Sequence, residues 1–290
     1  MRTEKEMYDM LLSIADKDER IRAVYLNGSR TNPNVPQDIF QDYDVVYVVN
    51  ETKSFINDKG WINLFGEILY MQYPDEHPDY PSDKENFYGW LMQFADGNRI
   101  DLHVETITHA QQNILNDSLC KVLLDKDKYL PEIPISTDKN YWVQKPTYDQ
   151  FKCTCGEFWW CLNSVAKGLW REEIPYVQDM LNFVVRKQLE KMLSWKIGVQ
   201  TNFSVSVGKS AKYMYKWLTK DEWDKYLQTY CTAEIDSIWN SVEIMCSLFT
   251  DTAQWVAKEL NFEFDNTEAT NSMYFLNTVK TLPKNASEIM

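Results

Sequence analysis

No stretch of the sequence holds the roughly 20 uninterrupted apolar residues that a membrane-spanning helix needs. The charged opening, MRTEKEMYDMLLSIADKDERIR, has no apolar segment of the kind found in secretory signals. A soluble, cytoplasmic protein with no membrane partner is expected. Cysteine is too irregular to make a framework. Cys120, Cys153, Cys155, Cys161, Cys231 and Cys246 form no CxxC pair and no familiar zinc spacing, so all six are expected as reduced thiols in or near the core. Repeats and low-complexity tracts are also missing. Positive charge is the last shortage: 30 Lys and Arg stand against 43 Asp and Glu, a net charge of -13. The resulting pI of about 4.8 disfavours polynucleotide substrates and favours cationic ligands, because the summed field concentrates counter-charge in clefts. Solubility alone would account for the acidity equally well.

What is present suits two compact domains or one large one: 290 residues, 44% apolar and 25% charged. The chain is organised around one stretch. An apolar run, Ala23 to Leu26, ends in Asn27-Gly28-Ser29-Arg30, crosses a loop containing Pro33 and Pro36, and resumes through Asp42-Tyr43-Asp44 into a second run ending at Val49. On a strand, side chains alternate, so Asp42 and Asp44 share one face while Tyr43 and Val45 take the other. Two carboxylates on one face repel, and a divalent cation relieves them; oxygen ligands favour Mg2+, which fills its remaining positions with phosphate oxygens and water. Gly28, Ser29 and Arg30, where the strand gives way to the loop, offer backbone N-H groups, a hydroxyl and a guanidinium to such phosphates. Further on, Asp96-Gly97 signals a hairpin, and Arg99-Ile-Asp-Leu-His-Val104 reads as its returning strand. Ile100, Leu102 and Val104 then share one face. Asp101, His103 and Glu105 take the other, with Asp101 beside the Asp42/Asp44 pair.

Along the rest of the chain, apolar spacing predicts an opening helix over residues 3–17, a helix over 54–66, an irregular segment over 73–83 with His77 exposed, and a helix over 108–124. Prolines 131, 134 and 146 mark a change of composition, which places a domain boundary at 135/136. A capping box at Thr147 opens a long helix; Pro175 opens a second that runs to Trp195. Three more helices are expected over 210–218, 221–230 and 234–260, making the second half a bundle with Trp159, Trp160, Trp170 and Trp195 in its core.

Gly28-Ser29 followed by Asp42-x-Asp44, with Asp101 on a later strand, resembles the nucleotidyltransferase pattern of the polymerase-beta-like superfamily. Gln41-Asp-Tyr-Asp44, Leu123-Leu-Asp-Lys126, Glu157-Phe-Trp-Trp160 and Lys167-Gly-Leu169 extend the resemblance, over nearly the whole chain, to the aminoglycoside 6-adenylyltransferases. The resemblance implies an α+β protein: a nucleotidyltransferase domain, residues 1–135, with a mixed sheet flanked by helices, and a helical substrate-binding domain, 136–290, the active site lying between them. It implies ATP as co-substrate, Mg2+ held by Asp42, Asp44 and Asp101, and transfer of AMP to the 6-hydroxyl of streptomycin by a monomeric enzyme. Asp101 or Glu105 is then the general base. Lys167 resembles a phosphate contact of related enzymes, while Lys209 and Lys212 are either anion contacts at a helix start or solvated surface. Glu157 and Asp179 are candidates to pair with the drug's guanidinium groups, or else surface acids. Other acceptors (another aminoglycoside, a lincosamide, a protein or an RNA end) and a non-catalytic nucleotide-binding module are the competing readings.

Overall fold

Alternating apolar and polar residues build a sheet through the first half of the chain, and helical spacing governs the second. The structure is a computed structural model that describes residues 1–289. It divides into two units, Met1–Asn140 and Tyr141–Met290.

The first unit opens with helix α1, Glu4–Lys17, closed at its start by a Thr3/Glu6 capping box. Strand β1, Ile21–Asn27, and strand β2, Tyr43–Val49, follow; then come short helix α2, Lys53–Asn57, strand β3, Ile68–Gln72, and hairpin strands β4, Phe87–Phe94, and β5, Arg99–Thr106. Helix α3, Ile107–Asn113, and strand β6, Cys120–Asp125, complete it. The six strands form one sheet in the order β3-β4-β5-β2-β1-β6, with β2 and β5 parallel and the other pairs antiparallel. Tyr43, Val45, Tyr47 and Val49 point into a core shared with α1, in which Met7 and Leu11 are fully buried; Ile100, Leu102 and Val104 join it from β5. Val46 and Val48 face the opposite side, over Ala110 and Ile114 from α3 and its following turn.

Two expectations fail in this unit. The helix expected over 54–66 breaks at Asp58, whose carboxylate accepts from the amides of Gly60 and Trp61 and turns the chain into a 3-10 segment, Trp61–Phe65. The helix expected over 108–124 ends at Asn113; residues 120–125 instead pair antiparallel with β1 as the sheet's edge strand. Cys-Lys-Val-Leu-Leu-Asp is too short a run for its period to be told from a helix.

In the second unit the Thr147/Gln150 capping box starts helix α4, Tyr148–Arg171. Helix α5, Ile174–Asp179, continues through a π-helical turn, Met180–Val185, into α6, Arg186–Gln200. Helices α7, Lys220–Gln228, α8, Ile235–Leu260, and α9, Thr267–Thr281, follow. Phe158 of α4 stacks on Phe249 of α8 with ring centroids 3.8 Å apart, amid buried Leu162, Leu189, Met192 and Met245. Helix α9 lies beyond the five segments expected for this half. Residues 210–218 form separate 3-10 turns rather than a helix, since Ser210 and Ala211 take left-handed backbone angles. Trp159 and Trp195 are buried, but Trp160 is 76% exposed: adjacent helical residues point about 100° apart, so it cannot share the buried face of Trp159. All six cysteines are free, with Cys153 exposed. Among the described residues no helix is long and apolar enough to cross a membrane.

Candidate active site

Strand register brings the acidic residues together. Asp44 lies opposite Asn27 on β1 and opposite Asp101 on β5. Because β2 and β5 are parallel neighbours, Asp44 and Asp101 stand side by side on the face that Val46 and Val48 continue toward α3. Asp42, two residues before Asp44, comes to the same place. One oxygen from each of the three carboxylates lies within 4.8 Å of the others.

Such a cluster is costly without a cation. Burial and the charges of Asp42 and Asp101 push the Asp44 carboxyl up to about 7 from an ordinary 3.8, against the opposing pull of Arg99 and Arg30. Hard oxygen donors within a few ångströms of one another suit a divalent ion such as Mg2+, and the backbone around them leaves the space open. Gly28 sits at φ +74°, and a Cβ there would lie 2.1 Å from Asp44 Oδ2. Glycine is required at this position twice over, for its left-handed backbone and for the carboxylate beside it. Gly28→Ala should therefore keep the fold, lose about 1–2 kcal/mol of stability from the backbone change, and weaken Mn2+ binding and turnover far more than it lowers the melting temperature. Chemical denaturation beside Mn2+ titration checks this.

Arg30 and Arg99 occupy the site's margins in different ways. Arg30 folds back on its own loop: Nε donates to the Asp42 carbonyl at 2.9 Å, a terminal nitrogen donates to the Gln41 carbonyl at 2.7 Å, and the guanidinium lies 3.6 Å from the Tyr43 ring centroid. It fixes the backbone that presents Asp42, and a phosphate contact would draw on donors now engaged there. Arg99, which the sequence reading did not single out, pairs with Asp101 through two parallel hydrogen bonds of 2.7 Å each, and its Nε lies 3.8 Å from Asp42 Oδ2. The signal was available. Residues i and i+2 of a strand share a face, so Arg99 had to lie beside Asp101.

Glu105 is on the same strand face but not in the cluster. It is 2% exposed; Tyr25 donates its hydroxyl to one oxygen, and His109 Nδ1 lies 2.7 Å from the other. His103, between them, stacks on Phe87 with centroids 4.6 Å apart, and burial holds its imidazole below the usual range. Ser29 begins a 3-10 turn, Ser29–Thr31.

The remaining candidates lie in the second unit, and all are exposed. Lys167 and Glu157 are on α4, where Glu157 accepts a weak hydrogen bond from Cys161. Asp179 ends α5. Lys209 opens a 3-10 turn after Gly208, and the Lys212 ammonium lies 5.1 Å from the Tyr213 ring centroid.

Three carboxylates on a sheet beside a Gly-Ser turn are the geometry that the motif spacing implied. The sequence model of the streptomycin adenylyltransferase family matches residues 1–279. The chain belongs to that family, and it is an adenylyltransferase. It is 39% identical to an aminoglycoside 6-adenylyltransferase of Campylobacter jejuni over 264 residues, 91% of each chain. It is 38% identical to an aminoglycoside 6-adenylyltransferase of Bacillus subtilis, over 91% of this chain and 93% of the relative. A crystal structure of an aminoglycoside 6-adenyltransferase from Bacillus subtilis matches 97% of this chain and all of that one, at 32% identity and a TM-score of 0.48.

Proposed function

We propose that this adenylyltransferase moves AMP from ATP to the 6-hydroxyl of streptomycin and releases pyrophosphate. The observation that carries the reading is the convergence of Asp42, Asp44 and Asp101 within 4.8 Å, in a chain of this family. These three carboxylates would hold Mg2+, which when bound neutralises phosphate charge and orients the α-phosphorus for in-line attack. Ser29, following the turn at Gly28, would offer its hydroxyl to phosphate oxygens, and Arg30 holds the backbone that carries Asp42. Asp101 completes the metal site or takes the proton from the attacking hydroxyl. Glu105 is the weaker candidate for that proton, because both its oxygens are already engaged in a buried cluster.

A cationic acceptor accords with the net charge of -13 and with the named activity of the relatives. Streptomycin carries two guanidinium groups, and a carboxylate pairs with guanidinium through two parallel hydrogen bonds. Glu157 and Asp179 offer exposed carboxylates for this. The test is to supply ATP and Mg2+ with streptomycin, spectinomycin and kanamycin in separate reactions, following pyrophosphate and the mass of the drug. Adenylylated streptomycin alone supports the proposal. Pyrophosphate release only with another drug, or with none of the three, rejects streptomycin as the acceptor.

A further inference from the structure

The bidentate pairing between Arg99 and Asp101 places a fixed positive charge inside the cluster assigned to the metal. Both oxygens of Asp101 accept from this guanidinium at 2.7 Å, and its Nε is 3.8 Å from Asp42 Oδ2. A divalent ion bound by Asp42, Asp44 and Asp101 draws on the same oxygens and is repelled by the same guanidinium.

We propose that Arg99 competes with the divalent ion for Asp101 and thereby sets the enzyme's metal affinity. The inference rests on the metal reading given above. Arg99 is built to let go. It is the first residue of β5, just after the Asp96-Gly97 turn, and its side chain is 47% exposed. It also borders a hollow of about 200 Å³ on the same sheet surface, lined by Tyr70, Gln72, Leu91 and Gln93, which gives the head group room to withdraw. A guanidinium bound by two hydrogen bonds is held more firmly than a lysine ammonium would be, since the planar fork matches the carboxylate edge. The pairing restrains Asp101, and the metal has to displace it.

The competition can be measured without turnover, as Mn2+ affinity by electron paramagnetic resonance. Arg99→Gln should bind Mn2+ about three- to tenfold more tightly than wild type, the range expected for releasing a half-exposed ion pair and its repulsion. Arg99→Lys, which keeps the charge but loses the fork, should fall between them and serves if the glutamine variant folds poorly. In an Asp101→Asn background the Arg99→Gln effect should shrink, because the contest for the Asp101 oxygens is gone and only the repulsion from a guanidinium 3.8 Å from Asp42 Oδ2 remains. Were Arg99 only a structural support for Asp101, its loss would leave Mn2+ binding unchanged or weaker while Asp42→Asn still weakened it. That pattern overturns the competition and spares the metal site. Mn2+ binding equal in wild type and Asp42→Asn overturns both.

Discussion

Asp44→Asn should raise the stability of the metal-free protein at pH 8 while destroying its activity. The Asp44 carboxyl titrates near 7 in the folded chain against an ordinary 3.8, chiefly because it is buried and then because Asp42 and Asp101 face it. Between those values the folded chain holds a proton that the unfolded chain releases. The favourable contribution is thus complete below about pH 4 and is lost as pH rises through 7. At one pKa unit per 1.36 kcal/mol the shift sets an upper bound of about 4 kcal/mol. Relaxation and water around the cluster reduce this, so about 1–3 kcal/mol is expected for the asparagine, or several degrees in melting temperature. The gain should shrink to nothing near pH 4, where wild type is itself protonated, and should shrink or reverse with saturating Mg2+, which stabilises only a chain that binds it. Thermal denaturation at pH 4 and pH 8, with EDTA or with Mg2+, checks each part. A variant less stable than wild type at pH 8 in EDTA would mean that the carboxylates are relieved by something other than a proton or a metal.

The second large effect concerns catalysis. Asp42→Asn and Asp101→Asn should each lower kcat by about 10³-fold or more, the scale on which phosphoryl transfer depends on electrostatic stabilisation. Their melting temperatures should stay within a few degrees of wild type. Asp42 lies before β2 on a backbone fixed by Arg30, and Asp101 gives up only its contact with Arg99. Glu105→Gln should behave in the opposite sense. Its carboxylate is buried between Tyr25 and His109, and an amide leaves one of those partners poorly matched, so stability should fall before chemistry does. Rapid-quench measurement of adenylyl transfer, beside thermal denaturation of the same samples, separates the two kinds of loss.

Much of the architecture was legible because it depends on periods that the sequence carries openly. Alternation put Ile100, Leu102 and Val104 on one face and left Asp101, His103 and Glu105 on the other, and the structure places them so. The long helices α4 and α8 were visible from caps and apolar spacing. Strand β6 was hidden because six residues are too few to reveal their period, and α9 because its apolar stripe is weak: only Ala269, Leu276 and Val279 are buried. In the candidate site, the two-residue period put Asp42 and Asp44 on one face and Asp101 on the polar face of its own strand, whereas the parallel pairing of β2 with β5 that sets Asp101 opposite Asp44 joins strands distant in sequence and is fixed by the fold. The attachments of Arg30 and Glu105 could not be read from spacing. The sequence offers the Arg30 guanidinium to phosphate but gives no sign that it also satisfies carbonyls within its own loop. Glu105 lies on the face of Asp101 as alternation requires, but its partners were not legible: α3 packs over that end of the strand and supplies His109. Such contacts depend on rotamers and on covering elements rather than on register.

The most direct measurement of the central claim is a crystal structure with Mn2+ and a non-hydrolysable ATP analogue, read from the anomalous signal of manganese. The account predicts manganese in coordination with oxygens of Asp42, Asp44 and Asp101, the triphosphate beside Gly28 and Ser29, and the Arg99 guanidinium withdrawn from Asp101. Manganese bound elsewhere, with Arg99 still paired to Asp101 and the nucleotide in place, would contradict it.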